Sequence, residues 1–238
     1  LFRSMNRSIS FQERIDRYIS FLPRFAKAAW TTIIVSLFSM IMAMSLGLIL
    51  AIIRIYTPFK FIAVAYIEII RGTPLLVQLL LIFYGLPNIG IRLDPFVAGV
   101  IGLGLNYAAF EAENYRAGLL SVPRSQYEAA KALGMTQWQA LRYVILPQSV
   151  RLVIPPVTND FISLLKDSSL VSMITIVDLT QQYNLLATTY YDYFGIGIQV
   201  ALIYFIIGIP FVMLSRWAER KIGRNGLRRK KYSFNLIR

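Results

Sequence analysis

Apolar residues run in long blocks separated by short polar stretches. The blocks are Ala28 to Ile53, Phe61 to Leu86, Pro95 to Gly118, Val150 to Ile176 and Gly195 to Leu214. A helix of about 20 apolar residues crosses the hydrocarbon core of a bilayer. The pattern therefore predicts an all-α, polytopic helical membrane protein with about five transmembrane helices. The second block is interrupted by Glu68, Arg71, Gly72, Thr73 and Pro74. Gly and Pro break or kink helices, and two full spans would need more residues, so one long span kinked at Gly72 to Pro74 is expected.

The ends of the chain differ from the blocks. In residues 1 to 27, Phe11, Ile15, Tyr18, Ile19 and Leu22 recur at helical spacing among Arg3, Arg7, Arg14, Arg17, Arg24 and Lys27. That pattern predicts an amphipathic helix lying on the membrane surface. No small-residue cleavage site follows a short apolar run, as a signal peptide requires. The chain divides into this segment, a membrane domain over 28 to 214 that includes a polar loop at 121 to 147, and a basic tail over 215 to 238. Residues 177 to 194, polar and aromatic, predict an external loop with a surface helix.

Composition sharpens this picture. The chain has 238 residues, and 56% are hydrophobic. Charged residues make up 16%, against roughly 25% in a soluble domain. Absence of Cys and His removes disulfides, thiol nucleophiles, His-based catalysis and most zinc sites. No Gly-Lys pair occurs, so no phosphate-binding loop is present. The net charge of +13 sits at the ends and in one loop, as membrane anchoring on anionic lipid requires. Nucleic acid is not expected.

Gln126 to Pro147 is polar yet ordered in its signals. Glu128, Ala129 and Ala130 are followed by Gly134 after three residues, then by Val144, Leu146 and Pro147. Glu128 to Leu133 are helix formers. Gly134 can close a helix in a left-handed conformation, Thr136 can cap the next, and Pro147 interrupts that one. The stretch resembles the coupling loop of ABC importer permeases, with Val144 where the family pattern has Ile. In that family the loop forms cytoplasmic helices that dock on an ATPase subunit. Two further segments resemble the permeases of polar amino acid importers: E-I-I-R-G-T-P-L-L-V-Q-L from Glu68, and L-L-K-D-S-S-L from Leu164. The resemblance implies ABC ATPase subunits, a second permease subunit of the same or a related chain, and an extracytoplasmic amino-acid-binding protein. It implies no cofactor in this chain, with ATP and Mg on the ATPase. It places the chain in a bacterial cytoplasmic (inner) membrane as a transporter subunit, not an enzyme.

Charge sets the orientation. Tyr115 to Pro147 carries Arg116, Arg124, Lys131 and Arg142 against Glu128, and the tail carries nine basic residues against Glu219. The positive-inside rule puts both in the cytoplasm. Three preceding spans then put the N-terminus outside, against the basic bias of residues 1 to 27.

Ionisable groups inside spans mark candidate sites. Asp160, Ser163 and Asp167 share one helical face at spacings of three and four. Asn159, Ser163 and Lys166 share an overlapping one. Asn106 and Glu113, seven apart, share a face of the third span, with Glu111 beside them. Asp160 and Glu113 are the foremost candidates for contacting a cationic substrate, with Asn159, Ser163, Asn106 and Glu111 around them. Internal pairing, as of Glu113 with Arg116 or Lys166 with Asp167, is the alternative use of these charges. Arg71, Gly72, Pro74, Lys166 and Asp167 are candidates for kink or gate. Glu128, Ala129, Ala130, Gly134, Leu146 and Pro147 are candidates for ATPase coupling. The expected function is ATP-driven import of a polar, basic amino acid by alternating access. A secondary amino-acid or ion transporter, or a channel, would also use intramembrane charge but has no use for an ATPase-docking loop. A membrane-embedded enzyme would need a nucleophile motif, and none occurs.

Overall fold

A computed structural model describes residues 11–234, which are mostly helical with no strand among them. Of the expected amphipathic segment over 1–27 and basic tail over 215–238, residues 1–10 and 235–238 lie outside the described residues. Helix α1 (Phe11–Tyr56) is followed by α2 (Lys60–Arg71), α3 (Leu75–Leu80) and α4 (Pro95–Leu120). Then come α5 (Arg124–Ala132), α6 (Gln137–Ala140), α7 (Leu146–Asp167), α8 (Leu179–Tyr190) and α9 (Tyr193–Phe234).

Three helices are long and apolar enough to cross a membrane among the described residues: α1, α4 and the first part of α9. The pair α2 and Leu75–Ile89 makes a fourth crossing if taken as one span. That pair bends by 103°, far sharper than the expected kink. Helix α7, the remaining expected span, has 22 residues, enough for about 33 Å of rise. Arg151, Asn159, Asp160, Ser163 and Lys166 lower its hydropathy. It packs inside the bundle against α4 and α9.

The first twenty residues of α1 differ from expectation. The basic segment and the first span form one unbroken helix. Phe21, Phe25 and Ala28 are buried with Leu179, Leu186 and Ile196. Ile19 and Leu22 of the expected stripe stay exposed, at 56% and 50%, and the neighbouring face through Phe21, Phe25 and Ala28 is the one that meets α8 and α9. At the other end, α9 continues to Phe234 with no helix end where the tail was expected to begin.

Helices α1 and α4 form the most extensive pair. Small residues permit it: Ala43, Ala108, Ala109 and Ala112 are fully buried. Gly102 leaves a slot for Leu79, whose Cδ2 would stand 2.5 Å from an added β-carbon.

The two ends of the bundle are distinct. Near the start of α1, Tyr18 donates to Asp192 at 2.6 Å. At its far end, Arg54 pairs with Glu113 near the end of α4. Tyr56 and Tyr127 line a hollow with Gln137, Trp138, Leu141 and Ile145. The first turns of α1 therefore lie opposite the 121–147 loop.

Candidate functional site

The 121–147 loop is built as a helix pair closed by local hydrogen bonds. Gly134 has φ +81°, a conformation favoured by glycine. The Met135 amide donates to Ala130 O at 3.1 Å and the Gly134 amide to Lys131 O at 3.0 Å. This is the paired bonding of a Schellman terminus. Thr136 then opens α6 with a reciprocal capping box to Gln139, which satisfies two end groups at once. Pro147 does not stop the helix. A π-helical turn, Leu141–Ile145, precedes it, and α7 continues from Leu146. Such a turn absorbs the proline's missing N–H.

Among the coupling candidates, Ala130 is buried and anchors α5, while Ala129, Gly134, Leu146 and Pro147 are exposed. Glu128 pairs with Arg124 at 3.2 Å on the surface. Leu133, Trp138 and Tyr143 are 80%, 63% and 65% exposed. Three large apolar side chains on a polar loop make a surface suited to a protein partner.

The broken span is closed by two side chains, Thr73 and Gln78, the Thr73 hydroxyl lying 2.9 Å from Ile69 O and 3.4 Å from Ile70 O. Ile70 O would receive the amide of residue 74 in a continuous helix, and Pro74 has none. Gln78 Nε2 donates to Ile70 O at 2.8 Å, and also to Thr73 O at 3.2 Å and Thr73 Oγ1 at 2.7 Å. Gly72 ends α2 with a right-handed φ of −83°. Arg71 lies over the Phe110 ring, 5.2 Å from its centroid.

The intramembrane candidates separate into groups. Asp160 is half-buried and accepts from Asn114 Nδ2 at 2.7 Å. The charge of Arg71 reaches it from across the bundle, so it does not stand without a cation, as its own helix suggested. Glu111 is fully buried, and neither carboxylate oxygen has a hydrogen-bond partner of sound geometry. Glu113 is not a free carboxylate. Both Arg54 and Arg116 pair with it, with Arg116 Nε at 3.1 Å. The expectation that Glu113 awaits a cationic ligand is corrected: two arginines already supply the charge, one of them from α1, 59 residues away.

Asn106 donates to Gln78 Oε1 at 3.1 Å and so faces the broken span. Asn159 accepts from Ser215 at 2.8 Å and faces α9. Ser163 is exposed. Lys166 and Asp167 do not pair with each other. Asp167 accepts from the Tyr107 hydroxyl at 2.8 Å, and Lys166 is exposed. Thus α4 and α7 meet through Asn114–Asp160 and Tyr107–Asp167. Sequence reasoning missed Tyr107, Asn114, Arg54 and Gln78 as partners. Gln78 had a signal, as the one Gln of the R-G-T-P segment.

A second polar cluster lies at the opposite end from the loop. Asp178 is fully buried and caps α8, accepting from Gln181 N at 2.8 Å and from Tyr204 at 3.3 Å. Burial pushes its carboxyl up from the ordinary range to about 6.

Comparison with known proteins gives one consistent result. A family model described as "Binding-protein-dependent transport system inner membrane component" matches residues 43–224. The chain is 35% identical over 223 residues to a probable glutamine ABC transporter permease, GlnM, of Bacillus subtilis, covering 93% of this chain and 100% of that protein. It is 40% identical over 208 residues to the L-cystine transport system permease TcyB of the same organism, covering 86% of this chain and 89% of that one. It is 34% identical over 190 residues to the arginine transport system permease ArtQ, also of Bacillus subtilis, covering 79% of this chain and 87% of that one. In structure it is similar to an amino acid ABC transporter crystallised with histidines, with a TM-score of 0.82, 40% identity, and coverage of 86% of this chain and 97% of that one.

Proposed function

The chain belongs to the binding-protein-dependent transport system inner membrane components and is an amino-acid ABC transporter permease, a multi-pass membrane subunit, and on that premise we propose that it serves ATP-driven import of a basic amino acid. The observation that carries the proposal is Asp160, a half-buried carboxylate between α4 and α7 that accepts from the neutral amide of Asn114 and feels the charge of Arg71 at longer range. A carboxylate in such surroundings binds ammonium or guanidinium strongly, because desolvation strengthens the attraction. The relatives' names support an amino acid substrate and include arginine, but they also include glutamine and cystine.

The cargo site has Asp160 as its charged contact, with Asn106, Glu111, Asn159 and Ser163 as further candidate contacts. Glu113 holds α1 to α4 and takes no part in binding. Arg71, Gly72, Pro74, Lys166 and Asp167 serve the gate. An ABC ATPase docks on the 121–147 loop through Leu133, Trp138 and Tyr143, and carries ATP and Mg. The coupling loop and the C-terminus face the cytoplasm, and the N-terminus faces outside. The opposite placement of the start of α1 and the loop supports this reading. A second permease subunit and an extracytoplasmic binding protein complete the assembly.

The test is purification of the tagged permease from its own membrane. Co-purifying subunits are identified, and ATPase stimulation is measured against a panel of amino acids. Recovery of an ATPase whose turnover rises with arginine, lysine or histidine is expected. Stimulation by glutamine or cystine alone overturns the basic assignment, and the absence of any ATPase overturns the importer reading.

A further inference from the structure

We propose that Gln78 is the positioning residue of the gate: its side-chain amide replaces the N–H that Pro74 lacks and ties the bend between α2 and α3 to α4. The inference rests on the importer reading for its meaning in transport, and on geometry alone for the tie itself.

The break leaves specific orphans. Glu68 O keeps its helical partner, the Gly72 amide, at 2.9 Å. Ile69 O takes the Thr73 hydroxyl at 2.9 Å. Ile70 O faces Pro74, has no backbone donor to receive, and meets at 3.4 Å only a Thr73 hydroxyl already bonded to Ile69 O. A carbonyl left unpaired inside a membrane protein costs several kcal/mol, by order of magnitude. Gln78 answers it from one turn into the next helix. Its two N–H groups lie within reach of three acceptors, Ile70 O, Thr73 O and Thr73 Oγ1. Three acceptors converging on one amide fix where that amide stands.

The same side chain reaches the other way. Its oxygen accepts from Asn106 Nδ2 at 3.1 Å, and Asn106 is 6% exposed. Next to it, fully buried Leu79 fills the slot at Gly102. One residue of α3 thus joins the last turn of α2 to the middle of α4. Helix α4 carries Asn114, which holds Asp160, and Phe110, on which Arg71 rests. A change of the bend angle is therefore passed to the groups around Asp160 through Gln78.

The chain has no cysteine, so labels can be placed cleanly. Ile69 and Leu81 are exposed, 64% and 61%, on either side of the break. Each is replaced by Cys and spin-labelled in the full transporter, reconstituted in proteoliposomes. The distance between labels is measured by pulsed electron resonance, with uptake and ATPase turnover measured on the same complexes. Gln78→Met removes every hydrogen bond at similar length. Gln78→Glu keeps the oxygen for Asn106 and removes both donors, and serves if the first variant fails to assemble. The expected result is a broadened distance distribution and a fall of about tenfold in the kcat of uptake, with KM and basal ATPase turnover near those of the parent. An unchanged distance distribution overturns the proposal. So does a rise in KM with kcat retained, which would make Gln78 a cargo contact. If the parent complex imports no amino acid, the importer reading fails, while the distance comparison still decides whether Gln78 holds the bend.

Discussion

Gly47 of α1 and Glu111 of α4 approach so closely that a β-carbon added to the glycine would stand 2.7 Å from Glu111 Cβ. It would also lie 3.0 Å from Ala108 O and from Ala112 N. Two of these three neighbours are backbone atoms, so rotamer change cannot relieve the contact. Small residues at this crossing let the helices pack backbone to backbone, which is how helices associate in lipid.

The first prediction follows from that contact. Gly47→Ala should lower the unfolding midpoint in detergent, with overpacking costing about 1–3 kcal/mol. The control is Gly208→Ala on α9, where nothing lies within 4 Å of the added carbon. There the gain in helix propensity, about 1 kcal/mol, should raise the midpoint. Equal shifts at both positions would show that the close crossing does not exist.

A second prediction concerns Gly134. Nothing lies within 4 Å of a β-carbon there, so any cost is conformational. A β-branched residue at φ +81° resists it most, and Asn least. Gly134→Val should loosen the α5–α6 pair, weaken ATPase docking and abolish uptake while the permease remains in the membrane. Gly134→Asn should retain most uptake, and Gly134→Asp should fall between them. Normal transport by a stably assembled Gly134→Val complex would falsify the coupling role.

These two sites also show what could be read in the sequence and what could not. Gly134, Thr136 and the Gly72 to Pro74 break were legible because their chemistry is local: a φ, a cap, a missing N–H. So was the all-α membrane fold, since block length alone carries it. Of the charge pairs, Glu113 with Arg116, three apart on one helix, was legible and is found; contacts between helices were not. Glu113 was placed as a ligand because Arg54, on a different span, cannot be assigned to it by helical spacing. Lys166 and Asp167 were weighed as a pair because they are adjacent, yet adjacent residues on a helix point about 100° apart. Asp167 instead meets Tyr107, 60 residues away. The N-terminal segment was legible as a helix, but its covered face runs through Phe21, Phe25 and Ala28, while Ile19 and Leu22 of the expected stripe stay exposed.

The third prediction is a pH dependence. Asp178 lies outside the spans, and burial raises its carboxyl to about 6. Its folded form therefore holds a proton more tightly than its unfolded form. Stability should be greatest at the acid side and should fall as pH climbs from the ordinary carboxylate range to about 6, then level off. Asp178→Asn keeps an oxygen for the Gln181 amide and cannot titrate. The variant's midpoint should be flat across that window relative to the parent. A parent midpoint that rises with pH between 4 and 6 by more than the variant's would contradict the burial of this carboxylate.

The last prediction concerns cargo. Asp160 accepts from Asn114, while Glu113 is paired with two arginines. If the charge of Asp160 selects the cargo, removing it without changing its size should alter preference, not assembly. Asp160→Asn should reduce uptake of arginine or lysine by about tenfold or more, the value of a charge-assisted hydrogen bond. Uptake of glutamine, where the complex accepts it, should change far less. Basal ATPase turnover should survive, because the coupling loop lies at another level of the bundle. Arg71 complicates the expectation in a useful way. Its charge reaches Asp160, so Arg71→Ala should tighten binding of a cationic cargo by freeing the carboxylate. If Arg71 and Asp160 instead act only as a structural pair, both variants should lose stability, and neither should shift the ratio of cationic to neutral uptake. Measured uptake ratios for the two variants therefore decide between selection at Asp160 and selection left wholly to the binding protein.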